Sequence, residues 1–204
     1  MKKATRERSE KLLETQAMSI EDEDKNLAEE TIDVKEAFSG SLLRLTVNKV
    51  RRSDGSTGER EVVHHPGGVV ILPVIEGEKG RELILVRQYR EPTGESLWEL
   101  PAGTLEEGES ALECARRELV EETRYRPAEL EKKVDLFTSP GYSDEVLSLY
   151  LARELEKLSE KEATESPEGE NLISKSFPVE EVFSRAREGK ITDGKTLAGL
   201  FFLV

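Results

Sequence analysis

The stretch Glu99–Tyr125, ELPAGTLEEGESALECARRELVEETRY, decides how the rest of the chain is read. Within it a helix follows the strands of the preceding chain. Ser110 with Glu113 three residues on is the capping-box pattern, the apolar period lasts to about Thr123, and Pro127 forbids much more. On a wheel of about 100° per residue, Ala111, Leu112, Ala115 and Leu119 form the inward stripe. Glu118 and Glu122 fall on the edge of that stripe and Glu121 lies beside them, whereas Ser110, Glu113, Arg116 and Arg117 point away. Three carboxylates at a docking edge repel one another and lose hydration unless a cation sits among them. A hard divalent metal suits carboxylate, carbonyl and water oxygens. The competing reading of any single glutamate is a solvated helix laced by pairs such as Arg117–Glu121. Their joint spacing favours the metal.

Outward from this segment the chain is mostly strands. On the N-terminal side, from about Phe38, Leu43, Leu45 and Val47 lead through Arg52-Ser53-Asp54-Gly55 to Glu61-Val62-Val63, a β-hairpin with an Asp-Gly turn. Gly68–Ile75 and Leu83–Tyr89 read as two more strands around the charged loop Glu76–Arg81. On the C-terminal side, Leu130–Phe137 and Val146–Arg153 are strands joined by Thr138-Ser139-Pro140-Gly141-Tyr142-Ser143-Asp144, and Lys157–Glu170 is an acidic loop. A helix opens at Phe177-Pro178 and ends near Gly189, with Pro178 in its first turn. Asp193 starts a last helix, Thr196–Val204. Antiparallel strands with interrupting helices make an α+β chain. Residues 1–30 form a charged arm, disordered or loosely helical, without catalytic signal; 31–66 are an N-terminal β region and 67–204 the main domain.

Composition bounds the function. The 204 residues carry 43 Asp+Glu against 30 Lys+Arg, a net charge of -13. That balance is wrong for a phosphate-backbone grip, so nucleic acid is not expected as a partner. One cysteine, Cys114, excludes an internal disulfide and a cysteine-based zinc site. No apolar run reaches the ~18–20 residues of a membrane span. The start, Met1-Lys2-Lys3-Ala4-Thr5-Arg6-Glu7, turns acidic rather than apolar, and a cytoplasmic protein is expected.

The stretch fits G-x5-E-x7-R-E-U-x-E-E (U aliphatic) with Gly103, Glu109, Arg117, Glu118, Leu119, Glu121 and Glu122 in register. In this it resembles the Nudix hydrolases, whose signature continues x-G-U; here Arg124 replaces the last glycine and Tyr125 the aliphatic residue. The resemblance implies the Nudix fold, mixed β-sheets sandwiched by helices. It implies metal ligands at Glu118, Glu122, Glu121 and the Ala102 carbonyl, with Glu121 also able to orient a water. Glu109 would brace the loop and Arg117 would orient the glutamates. The cofactor would be Mg2+, with Mn2+ possible. Over roughly Ile32 to Leu200 the chain resembles the ADP-ribose pyrophosphatase branch, through Val86-Arg87-Gln88-Tyr89-Arg90, Glu99-Leu100-Pro101-Ala102-Gly103 and Ser139-Pro140-Gly141 followed by Glu145. A proline sixteen residues beyond the signature's closing position marks that branch, and Pro140 stands sixteen beyond Arg124. Arg90 and Glu99 would then bind substrate, Arg90 at a phosphate, and Glu145 would be the catalytic base. Homodimers in which N-terminal strands complete the partner's site are usual there.

The expected activity is hydrolysis of ADP-ribose to AMP and ribose 5-phosphate. Another nucleoside diphosphate sugar and a non-catalytic nucleotide-binding module are the alternatives; a lost glutamate would have favoured the module, and none is lost. His64 and His65, neighbours on a strand, point to opposite faces and do not easily share an ion. Cys114 reads as a packed thiol, Trp98 as packing at the loop entrance, and Phe38 as a weak candidate for stacking an adenine.

Overall fold

Alternating apolar residues and the Asp54-Gly55 turn build the first of two units into which the chain divides, one ending at His64 and the other running from His65 to Val204. The computed structural model describes residues 27–77, 80–159 and 171–203. In the first unit three antiparallel strands lie in the order β1 (Glu29–Ser39), β2 (Arg44–Arg52), β3 (Thr57–His64). Gly55 takes the left-handed conformation the turn demands, φ 82°, and the Asp54 carboxylate accepts the Ser56 N–H at 2.8 Å. The sequence pattern starts its strands near Phe38 and so misses most of β1. That strand is exposed at almost every position, so it has no apolar alternation to betray it. Its ladder to β2 and the Arg60–Glu29 and Arg51–Glu30 pairs hold it.

The second unit is one mixed sheet with helices on both faces. Its strands are β4 (Gly68–Gly77), β5 (Gly80–Arg90), β6 (Glu95–Glu99), β7 (Ala102–Thr104), β8 (Tyr125–Phe137), β9 (Val146–Lys157) and β10 (Leu172–Pro178). The path is β10-β5-β4-β9-β8, with β6 on β5 and β7 on β4; β4 and β9 run parallel, every other pair antiparallel. β4 is buried from Gly68 to Val74, as a central strand must be. Its side chains alternate between two cores. Val69 and Ile71 meet Cys114, Ala115 and Leu119 of helix α1 (Ala111–Thr123). Val70, Leu72 and Val74 meet Phe177, Val182 and Leu200, from β10, α2 (Val179–Arg187) and α3 (Gly194–Leu200). Trp98 packs edge-on to Phe177, centroids 4.9 Å apart.

Several boundaries move. The strands reach further into the span read as the loop Glu76–Arg81, with Glu76 opposite Arg81 and Gly77 opposite Gly80 in the ladder. β8 starts at Tyr125, because Pro127 sits opposite Leu155 in a strand at the end of the sheet path, where a missing N–H is tolerated. β10 has no counterpart in the sequence pattern: Phe177 and Pro178 end this strand instead of opening a helix, and α2 begins at Val179. The last helix spans Gly194–Leu200, and Phe201–Leu203 tighten into a 3-10 turn. The arm reading at residues 1–26 and the loop at 160–170 fall outside the described residues. Among the described residues no helix is long and apolar enough to cross a membrane.

Candidate active site

Helix α1 starts where its capping box places it. The Glu113 N–H donates to Ser110 Oγ, and the Glu113 carboxylate accepts the Ser110 N–H at 3.0 Å. Its buried residues are Cys114, Ala115, Leu119, Glu122 and Thr123. Leu112, assigned to the inward stripe by the wheel, is 41% exposed; the buried face is centred one position round, on Cys114. The helix ends at Arg124 in the left-handed conformation, φ 61° and ψ 30°, and the Arg124 N–H donates to the Val120 carbonyl. The glycine of the Nudix signature is therefore missing at a position that still takes the glycine conformation. A side chain there costs about 1 kcal/mol. Arg124→Gly is expected to raise the melting temperature by about 2–4 °C; an unchanged or lower value by calorimetry would show that the helix exit carries no strain.

Arg117 sits among the carboxylates. The wheel points it away from them, but its long side chain folds back across the helix. Nε and Nη2 donate to the two Glu109 oxygens at 2.9 Å each, and Nη1 donates to Glu118 at 2.6 Å and Glu121 at 3.2 Å. Nη2 also reaches the Thr104 carbonyl. Hydrogen bonds from Arg117 hold the Glu109 carboxyl down to about 2, and in return the guanidinium is held protonated beyond its ordinary range. Glu122 turns elsewhere and accepts the Ala102 N–H at 3.1 Å. Among the described residues no three His, Cys, Asp or Glu side chains are gathered so as to hold a metal ion. Arg117 supplies the positive charge to Glu118 and Glu121.

The donor chemistry fits a divalent cation nonetheless. Glu118, Glu121 and Glu122 offer hard oxygens on one half-buried helix edge, beside strand β7. Burial pushes the Glu118 carboxyl up, ahead of the opposing pull of Arg117, a penalty on the anion that a nearby cation offsets. Gly103 makes the approach possible: a Cβ built there would fall on the Glu118 carboxylate. Gly68 on β4, opposite Thr104, is closed to a side chain in the same way by the Gly103 carbonyl.

The remaining candidates form two further groups. Glu99, 1% exposed, takes a fork of two 2.9 Å hydrogen bonds from Arg90 and a third from Lys195. Burial alone would push its carboxyl up, but the two cations hold it below the ordinary value. Read from sequence as substrate-binding, Glu99 is enclosed, and Arg90, whose side chain is 39% exposed, is the member of the pair open to solvent. Glu145 lies just before β9, where Oε2 accepts from Thr138 Oγ1 at 2.5 Å and Oε1 stands 3.4 Å from His65 Nδ1. β4 carries β7 on one side, with Val69 opposite Gly103, and the start of β9 on the other, with Gly68 opposite Leu147. Glu145 and Gly103 thus flank the same end of β4, two strand spacings or ~10 Å apart.

Sequence reasoning misses His65, Thr138 and Lys195. Asp193-Gly194-Lys195 reads only as a helix start, which it is: the Asp193 carboxylate accepts the Thr196 N–H. His64 Nε2 pairs with Thr46 Oγ1, whereas the His65 ring faces Glu145. Cys114 is buried, its thiol pushed up to about 12 by burial first and then by the Glu109 charge. It packs and has no nucleophilic character. Phe38 is 58% exposed on β1.

Known proteins place this arrangement. The NUDIX domain pattern matches residues 63–200. The ADP-ribose pyrophosphatase of Bacillus subtilis (strain 168) is 37% identical over 179 residues, covering 88% of this chain and 94% of its own. A methanol dehydrogenase activator of Bacillus methanolicus is 36% identical over 175 residues, covering 86% and 92%. The solved structure of an ADP compounds hydrolase superposes with a TM-score of 0.73 at 22% identity, over 86% of this chain and 91% of that one, and supports the fold. With the glutamates, the arginine clamp and the first glycine of the signature, Gly103, in place on that fold, and only its last glycine replaced, by Arg124, the chain belongs to the Nudix hydrolases.

Proposed function

We propose that this chain hydrolyses the diphosphate of ADP-ribose to AMP and ribose 5-phosphate. The observation that carries the reading is the Glu118 carboxylate seated against Gly103 and held by Arg117, in a chain similar over most of its length to an ADP-ribose pyrophosphatase. Mg2+, or Mn2+ in its place, held by Glu118, Glu121, Glu122 and the Ala102 carbonyl, would neutralise the diphosphate and acidify the attacking water. The protein's own groups do the rest. Arg117 aims Glu118 and Glu121, and Glu109 fixes Arg117. Arg90 meets a substrate phosphate with its plane set by Glu99, a forked geometry suited to phosphate oxygens. Glu145 takes the proton of the water, whose oxygen bonds to one phosphorus as the bridging P–O bond breaks and the other phosphate leaves. A homodimer and a cytoplasmic setting complete the reading. The first is supported by the exposed Val34 and Phe38 of β1, which a second copy would cover and light scattering would detect.

Incubation with ADP-ribose and Mg2+ is expected to release AMP and ribose 5-phosphate in equal amounts. Cleavage of a different nucleoside diphosphate sugar in a panel, with ADP-ribose left intact, would reassign the substrate. Binding without cleavage across the panel would make the chain a nucleotide-sensing module. Gly103→Ala is expected to lower kcat about a hundredfold in a folded protein, since the new methyl displaces Glu118 and misplacement near 1 Å carries that cost. Retained turnover would mean that Glu118 works from another position.

A further inference from the structure

The loop that carries Glu145 is closed on itself and tied to one histidine. The Thr138 N–H donates to the Glu145 carbonyl at 3.4 Å, and the Glu145 N–H donates to Ser143 Oγ at 3.2 Å. The Asp144 carboxylate accepts the His65 N–H at 3.0 Å, so two adjacent loop acids both face His65. The His65 ring is itself held. Gly67 N–H donates to Nδ1 at 3.1 Å, Pro66 stiffens the backbone between them, and only a tenth of the side chain is exposed. Gly67 N–H and Glu145 Oε1 therefore compete for one ring nitrogen. With Nδ1 bare, the amide donates to it and the carboxylate beside it makes a lone-pair contact that a single proton between the two would relieve.

We propose that His65 is a positioning residue for Glu145: its Nδ1 stands beside Oε1, across from the Thr138 hydroxyl, and shares the proton that Glu145 takes from the attacking water, which holds the protonated carboxyl in place. The step balances. The water O–H breaks, its proton bonds to Oε1 and hydrogen-bonds to Nδ1, and the hydroxide oxygen goes to phosphorus. Asp144 has a different task, holding the His65 backbone so that the ring keeps this aim. The inference rests on Glu145 being the base. A side chain with an acceptor at the Nδ1 position serves in place of His65, and one without it does not; asparagine has it, leucine lacks it, and glutamine carries its amide one carbon further out.

Steady-state kinetics on ADP-ribose with full-length variants test this. His65→Leu and His65→Gln are expected to lower kcat about tenfold with KM within about twofold, and His65→Asn to keep half or more of kcat, each at a melting temperature near that of the parent. In a Glu145→Gln background, His65→Leu is expected to cost nothing further, since residues acting as a unit are non-additive. Equal losses from His65→Leu in both backgrounds, or equal losses in the Asn and Gln variants, would overturn the proposal. A silent His65→Leu beside a crippled Glu145→Gln would overturn it alone and leave the base in place. A silent Glu145→Gln would instead remove the base assignment. If His65→Leu does not fold, the Asn and Gln pair decides by the same criteria.

Discussion

Glu118→Gln and Glu122→Gln are each expected to lower kcat by about a hundred- to a thousandfold while leaving the fold intact. Both changes keep shape and hydrogen-bonding capacity. The amide oxygen that replaces the Glu118 carboxylate can still accept from Arg117, and the one that replaces the Glu122 carboxylate can still accept the Ala102 N–H. What each loses is one negative charge on the half-buried edge of α1, beside Gly103. The control lies on the same helix: Glu113→Gln touches only the cap at Ser110 and is expected to leave kcat within about twofold, with a slightly lower melting temperature. Circular dichroism checks the fold, and titration of Mg2+ against turnover checks the cause, since on the proposed ligand set the Glu118 and Glu122 variants should need far more metal while the Glu113 variant should not. Equal losses in all three would mean that charge anywhere on the helix matters and that the carboxylate edge has been misplaced.

What was legible in the sequence was what chemistry pins to a fixed spacing. That Glu118, Glu121 and Glu122 share one helix edge could be read because a helix repeats every ~3.6 residues. Gly103 could be read only as a letter of the pattern; its reason, the Glu118 carboxylate where a Cβ would stand, is a contact between a strand and a helix. Arg117 misled the wheel, which projects Cα directions and ignores a long side chain with five donors that can reach round the cylinder. β1 and β10 were opaque for a shared reason: they are edge strands with mostly exposed side chains, held by their ladders and not by an alternating apolar face. His65 and Lys195 were opaque because their meaning is long-range. Asp144 comes to His65 from 79 residues away, and Glu99 and Lys195 are 96 apart. No local period announces such a meeting.

Glu145→Gln is expected to lower kcat by about a hundredfold or more with little change in metal requirement, the usual loss when a general base is removed. The helix carboxylates are committed to Arg117, to the Ala102 amide and, in the proposed enzyme, to the cation, so the proton of the water needs another acceptor. Two adjacent loop acids compete for that role, and their surroundings separate them. The Asp144 carboxylate is used on the His65 backbone N–H, a structural contact that asparagine reproduces with its carbonyl oxygen. The Glu145 side chain is 27% exposed, pinned on one oxygen by Thr138 and faced on the other by the His65 ring. A carboxylate pinned on one oxygen, with an acceptor for the incoming proton beside the other, and still open to solvent, is prepared to take a proton without searching for its geometry. Asp144→Asn is therefore expected to keep kcat within a few-fold. If the Asp144 variant is the crippled one, or if neither change matters, the base lies elsewhere, and the metal-ligand assignments on α1 stand or fall separately on the glutamine variants of that helix.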